Sequence, residues 1–228
     1  MNNSEVRSLR KAFNSVKERQ AQNPPDHFEE RKKRLAASRE LCVGNEELLA
    51  KAIANLKKNE MKVHLVKDKN EAVNNILKEL GDEKLVVKSK SNVTKEIELT
   101  KALEKKGLTV VETDIGDRIL QVLKASPSHP TGPVTHLSAK EIAKGLSGYY
   151  GMPIKDEPDG IVKIVREDVI SNLRRAKVGI TGANAITVEE GSIVMTHNEG
   201  NIYEVMRKEK HIVVTSIDKI YPDLESVM

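Results

Sequence analysis

The sequence predicts an α/β fold, a mostly parallel sheet covered by helices, carried behind a charged helical arm. Three observations predict it. Short apolar runs such as KLVVKS, LTVVET and HIVVTSI alternate with longer segments whose apolar residues recur at helical spacing. The segments between the first of these runs are long enough for helical crossovers, which join parallel neighbours and place helices on both faces of a sheet. Composition also changes after Cys42: residues 1–42 hold ten Lys or Arg against six Asp or Glu, whereas 43–228 hold 28 of each, so the net charge of +4 belongs to the arm. Two units follow, a helical arm over 1–42 and an α/β domain over 43–228.

In chain order, residues 4–22 read as a polar helix, the prolines of NPPD at 23–26 break it, and 27–42 resume a charged helical pattern. NEELLAKAIANLKKN carries an apolar stripe at 48, 49, 52, 53 and 56, and MKVHLV then alternates like a strand. A helix near 70–80, the strand 84–89, a helix near 93–106, the strand 108–113 and a helix near 116–124 continue the alternation. Pro127, Pro130, Pro133, Pro153 and Pro158 mark loops around one short helix near 138–147, and a helix near 160–176 restores order. KVGITGAN is a strand running into a loop. AITVEEGSIVMTHNEGN reads as two short strands about a Glu–Gly turn, a hairpin joined to the sheet. A helix near 201–208, the strand 211–217 and the closing turn DKIYPDLES complete the chain.

Composition narrows the function classes. A hydrophobic fraction of 38% with 32% charged residues suits a soluble protein rich in exposed helices. No apolar run approaches the roughly 18 residues of a membrane helix, and MNNSEVRSLRKAF lacks a signal-peptide core, so a cytoplasmic protein without membrane insertion is expected. The single Cys42 makes no internal disulfide and by itself holds neither zinc nor an iron–sulfur cluster, so no cofactor or metal is expected on this chain. The basic arm interleaves its charges and has few aromatics, which disfavours nucleic acid as a partner. Association of like chains is left open.

In an open α/β sheet ligands bind beyond the carboxyl ends of the strands. Four stretches fall there. Lys88, Ser89, Lys90 and Ser91 follow a buried strand and offer ammonium, hydroxyl and amide donors to an anion, or else Ser91 or Asn92 caps the next helix while Lys88 and Lys90 stay in solvent. Ser128 and His129 lie on a Pro-stiffened loop with His136 close behind, and an imidazole there can exchange a proton or touch a substrate. Thr181, Gly182 and Asn184 end an apolar strand, where glycine admits a ligand to the backbone or merely turns the chain. Glu189, Gly191 and Ser192, followed by Asn198, Glu199, Gly200 and Asn201, supply a carboxylate and a Gly-containing turn before a helix. That turn is a candidate phosphate or carboxylate cradle. Glu189 and His129 are the candidate catalytic residues. Pairing of Glu189 with a nearby Lys or Arg is the bland alternative for the first.

The stretches KLVVKSKSNVTKEIELTKALEKKGLTVVETDIGDRILQ, SPSHP with His136, VGITGANAITVEEGSIVMTHNEGN and KHIVVTSIDKIYPDLE, in this order, resemble the LUD (lactate-utilisation) domain family. The likeness is to the LUD portion of the iron–sulfur subunit of bacterial lactate-utilisation systems. It implies a fold resembling the group of CoA-transferases, ribose-phosphate isomerases and methenyltetrahydrofolate synthetases, and a part in oxidising L-lactate to pyruvate. It also places Glu189 at the family's own Glu. The full-length iron–sulfur type continues into a ferredoxin-like region with CxxCxxCxxxC runs, whereas this sequence holds one cysteine. The expectation is therefore a substrate-handling subunit of a redox complex, with the iron–sulfur cluster on a separate partner. The alternative is a stand-alone enzyme or binding protein for a small carboxylate, sugar phosphate or acyl-CoA.

Overall fold

The computed structural model describes residues 3–24, 26–128, 132–197 and 200–228. The arm is two helices, α1 (Asn3–Gln22) and α2 (Phe28–Cys42), separated near the expected proline break. Among the described side chains of α1 only Val6 and Leu9 are half-buried, the rest being exposed. The end of α2 differs in kind. It packs on the closing segment of the chain, and Cys42, the arm's last residue, is buried with Ala52, Leu56, Ile186, Val188 and Ile220.

Helix α3 (Glu46–Lys58) starts where the Asn45 side chain accepts the Leu48 amide at 3.0 Å, and α4 (Lys69–Leu80) starts where Asp68 accepts the amides of Asn70 and Glu71. Between them MKVHLV joins neither sheet. Met61 and Val63 pack inward and His64 reaches Glu79 at 3.1 Å, but Leu65, which a strand's alternation would bury with them, is 60% exposed. The predicted strand is therefore corrected to a connection between α3 and α4.

Four strands form the main sheet, β1 (Leu85–Lys88), β2 (Thr109–Glu112), β3 (Val178–Thr181) and β6 (Lys210–Val213). Their order is β2-β1-β3-β6 and every pair is parallel, as the crossover lengths predict. One face buries Val86, Val110, Val178 and Ile180 against Ile76 and Leu80 of α4 and against Leu99 and Leu103. The opposite face buries Val87 and Val111 against Val169, Leu173 and Val205. The helix expected near 93–106 is two, α5 (Asn92–Glu96) and α6 (Leu99–Lys105), broken at Glu98, whose φ is 52°. A single left-handed residue barely disturbs apolar spacing, so periodicity cannot register it. Helices α7 (Ile115–Leu123), α8 (Ala139–Tyr150) and α9 (Pro158–Arg175) build a further apolar layer from Ile119, Ile142, Leu146, Ile161 and Val165. Ser138 and Glu141 form a capping box at the start of α8.

The predicted hairpin exists as β4 (Ala185–Thr187) and β5 (Ser192–Val194), but it does not extend the main sheet. It belongs to a second sheet of order β5-β4-β7, where β7 (Ile220–Tyr221) comes from the stretch expected to be a turn and runs parallel to β4. The reason is packing. The inward residues Ile186, Val188 and Ile220 have their own core against α3 and the end of α2. Helix α10 (Asn201–Met206) lies over β3 and links the hairpin to β6.

Candidate functional site

The loops after β1 and β3, the end of the hairpin and the start of α10 meet around one open cleft of about 520 Å³. Of the predicted residues it gathers Ser89, Ser91, Gly182, Asn184 and Asn201. The parallel order explains why: β1 and β3 are adjacent, so their carboxyl ends deliver both loops to the same edge. Ser91 accepts the Thr94 amide at 3.3 Å, so its capping role and its place in the cleft hold together. Gly182 is where glycine is required. A Cβ there would stand 2.6 Å from Ser91 Oγ, so any side chain would push the two loops apart. Asn184 accepts the Thr196 amide at 2.8 Å and Asn201 donates to Thr113 Oγ1 at 3.2 Å, which fixes two further walls.

Several lining residues were not singled out from the sequence: Asp114, Thr196, His197, Ser216, Asp218 and Lys219. In THNEGN the sequence points to Asn198–Asn201 rather than to Thr196 and His197, and nothing local in TSIDK says that 216–219 returns to the end of β3. Among the described residues no hydrogen bond or ion pair reaches the Lys90 ammonium, whereas Lys219 pairs with Asp218 at 3.1 Å. Half-buried and unpaired among the described residues, Lys90 brings a cation to the cleft.

Other predicted residues sit elsewhere. Lys88 does not line the cleft and is no direct anion contact: it is 1% exposed and its Nζ lies 2.9 Å from Glu112 Oε2. Burial pushes the Glu112 carboxyl above its ordinary range, an effect that the neighbouring Lys88 only partly offsets. Thr181 is buried and bonds His211 Nε2 at 2.7 Å. Ser128 faces Thr135 at 3.4 Å, and His136 is half-buried with Nδ1 unpartnered among the described residues; neither lines the cleft. Gly200 caps α10 with φ 75° beside the cleft's Asn201. His129, Asn198 and Glu199 lie outside the described residues.

Glu189, Gly191 and Ser192 occupy the far turn of the hairpin, held by one face of α3 and not lining the cleft. Lys51 pairs with the Glu189 carboxylate. Asn55 Nδ2 donates to the Val188 carbonyl at 2.7 Å, and Asn59 Nδ2 to those of Glu190 and Gly191 at 2.8 and 3.0 Å. Glu190 turns the other way. Its carboxylate is held below its ordinary range by the Thr187 hydroxyl and the Leu224 amide. The exposed Lys51–Glu189 pair contributes no more than about 1 kcal/mol. Glu189→Gln is expected to leave denaturant-derived stability within about 1 kcal/mol and small-carboxylate affinity unchanged. Lost turnover in a reconstituted system with both quantities preserved would instead place Glu189 in the chemistry.

Comparison with known proteins settles the family. A model of the LUD domain matches residues 49–228. The chain belongs to the LUD domain family. It is 36% identical over 159 residues to lactate utilization protein B of Oceanobacillus iheyensis, covering 69% of this chain and 33% of that protein. The same-named protein of Bacillus cytotoxicus is 36% identical over 176 residues, covering 76% and 37%. An Escherichia coli K12 protein named "uncharacterized electron transport protein YkgF" is 31% identical over 205 residues, covering 88% and 43%. The LUD chain thus spans between a third and a half of the length of these relatives. No solved structure matches it. No helix among the described residues is long and apolar enough to cross a membrane.

The LUD chain's own donors do not fit an iron–sulfur cluster, which takes about four cysteine thiolates. Its one thiol, Cys42, is buried in the second core, with burial raising its pKa above the ordinary range.

Proposed function

We propose that this LUD chain binds and orients L-lactate or a related 2-hydroxy acid for oxidation to the 2-oxo acid, with a separate iron–sulfur protein receiving the electrons. The observation that carries the reading is Lys90, unpaired among the described residues, in a cleft of hydroxyl and amide side chains at the carboxyl ends of β1 and β3. An ammonium complements a carboxylate, and Ser89, Ser91 and Asn184 offer hydrogen bonds to a neighbouring hydroxyl or oxo group. Converting the alcohol carbon to a carbonyl removes two electrons and two protons. Side chains accept no such electron pair, so this chain's work is binding and orientation while a carrier elsewhere is reduced. The names of the relatives, lactate utilization protein B and an electron transport protein, support that division.

Calorimetric titration of L-lactate and pyruvate into the wild type and Lys90→Met tests it. A charge-assisted hydrogen bond contributes about 1.5–3 kcal/mol, so affinity is expected to fall roughly tenfold to a hundredfold in the variant. Equal affinities would remove Lys90 from the site. Absence of binding to the wild type alone and in the presence of its redox partner would overturn the substrate-handling reading.

A further inference from the structure

The parallel register places Lys88 directly opposite Glu112 on neighbouring strands. The rungs before it are apolar, Val86 against Val110 and Val87 against Val111. Only the rung that touches the cleft loop is an ion pair, with Lys88 1% and Glu112 7% exposed. Well-packed apolar residues commonly stabilise a core as much as a buried ion pair, so stability alone does not account for charges here. Their bonds do. Lys88 Nζ donates to the Ser89 carbonyl and to Thr94 Oγ1, both at 3.2 Å. Thr94 Oγ1 in turn donates to the Ser91 carbonyl at 3.0 Å, and the Thr94 amide to Ser91 Oγ. Glu112 is steadied from its other side by Thr100 Oγ1 at 3.1 Å. Lys88 therefore grips both ends of a segment whose residues 89–93 all line the cleft.

We propose that Lys88 and Glu112 are positioning residues, a buried ion pair whose task is to hold the Ser89–Thr94 segment in the shape that presents Lys90 to the ligand. Lys88 acts through the backbone and never meets the ligand. The proposal rests on this cleft being the ligand site, but its test needs no ligand, so it fails or stands separately from the Lys90 titration.

Amide hydrogen exchange by NMR on the full chain reads the effect. The amides of Ser89, Thr94 and Lys95, bonded to Ile180 O, Ser91 Oγ and Ser91 O, report on the segment, and that of Val214, bonded to Thr181 O, reports on the sheet. In Lys88→Met/Glu112→Leu, where both charges are replaced by apolar groups, the three segment amides are expected to exchange at least about tenfold faster while Val214 keeps its protection. Thr94→Val removes one of the two acceptors without touching the pair and is expected to give the same local loosening, so the test survives a double variant that fails to fold. Unchanged segment exchange in Thr94→Val or in a folded double variant overturns the proposal. So does equal loss of protection at Val214, which would make the pair a general support of the sheet.

Discussion

Gly179→Ala is expected to cost about 3 kcal/mol or more and to spoil the cleft without touching it, since overpacking a filled core typically costs about 1–3 kcal/mol and occasionally more. A Cβ at this position would stand 2.1 Å from the Val205 carbonyl oxygen and 2.8 Å from Val205 Cγ1. The nearest obstacle is backbone, so no rotamer change relieves it and α10 must lift from the sheet. Because α10 begins with Asn201 and Ile202, both in the cleft wall, the displacement carries into the site. Thermal denaturation should show the loss, about 6–12 °C in Tm for a chain of this size. A cost below about 1 kcal/mol would mean that α10 is not seated on β3 as described.

Gly191→Ala is the second large effect. The residue has φ 59°, a region that costs a residue bearing Cβ about 1–2 kcal/mol. Its added Cβ would also meet the Asn55 backbone carbon at 2.5 Å and its oxygen at 2.7 Å. Conformational strain and overpacking together give about 2–5 kcal/mol. Gly151→Ala separates the two contributions, because Gly151 has φ 67° but nothing within 4 Å of the added atom, so it should lose only the conformational part. Equal losses in the two variants would show that α3 does not press on the hairpin turn. A larger loss at Gly191 would confirm that this turn, which carries Glu189, is a structural anchor between α3 and the second sheet.

The strand–helix alternation and its crossovers sufficed to predict the parallel sheet, and the rule that ligands bind beyond the carboxyl ends of parallel strands drew attention to the loops after β1 and β3 that line the cleft. Both are local patterns joined by one topological rule. A cap at Ser91 or Asn92 was legible for the same reason, and the structure places it at Ser91. Where the reading fell short, distant partners decide. MKVHLV alternates in sequence, yet among the described residues no strand runs beside it and its Leu65 is exposed. Lys88 looked like a free anion ligand because its sequence neighbours are polar, yet Glu112 lies 24 positions away. A hint was present: LVVK and TVVE each end an apolar run on a charge of opposite sign, which in register become one pair. Glu189 was singled out for its tight turn, while Lys51 and Asn55 on α3 and Asn59 just past its end, spaced four apart, carried no sign of their target.

The sequence by itself determined what depends on neighbours along the chain: most of the helices, the apolar strands of the main sheet, the family, and the loops placed at the strand ends. Only the tertiary structure decided which of those loops share a cleft, that the hairpin forms a second sheet with the closing segment, that Lys90 faces the cleft while Lys88 serves beneath it, and that the Glu189 turn belongs to α3. The physical reason is that strand order and register set these pairings, and both follow from packing whole faces together, a sum over residues far apart in the chain that no short window contains.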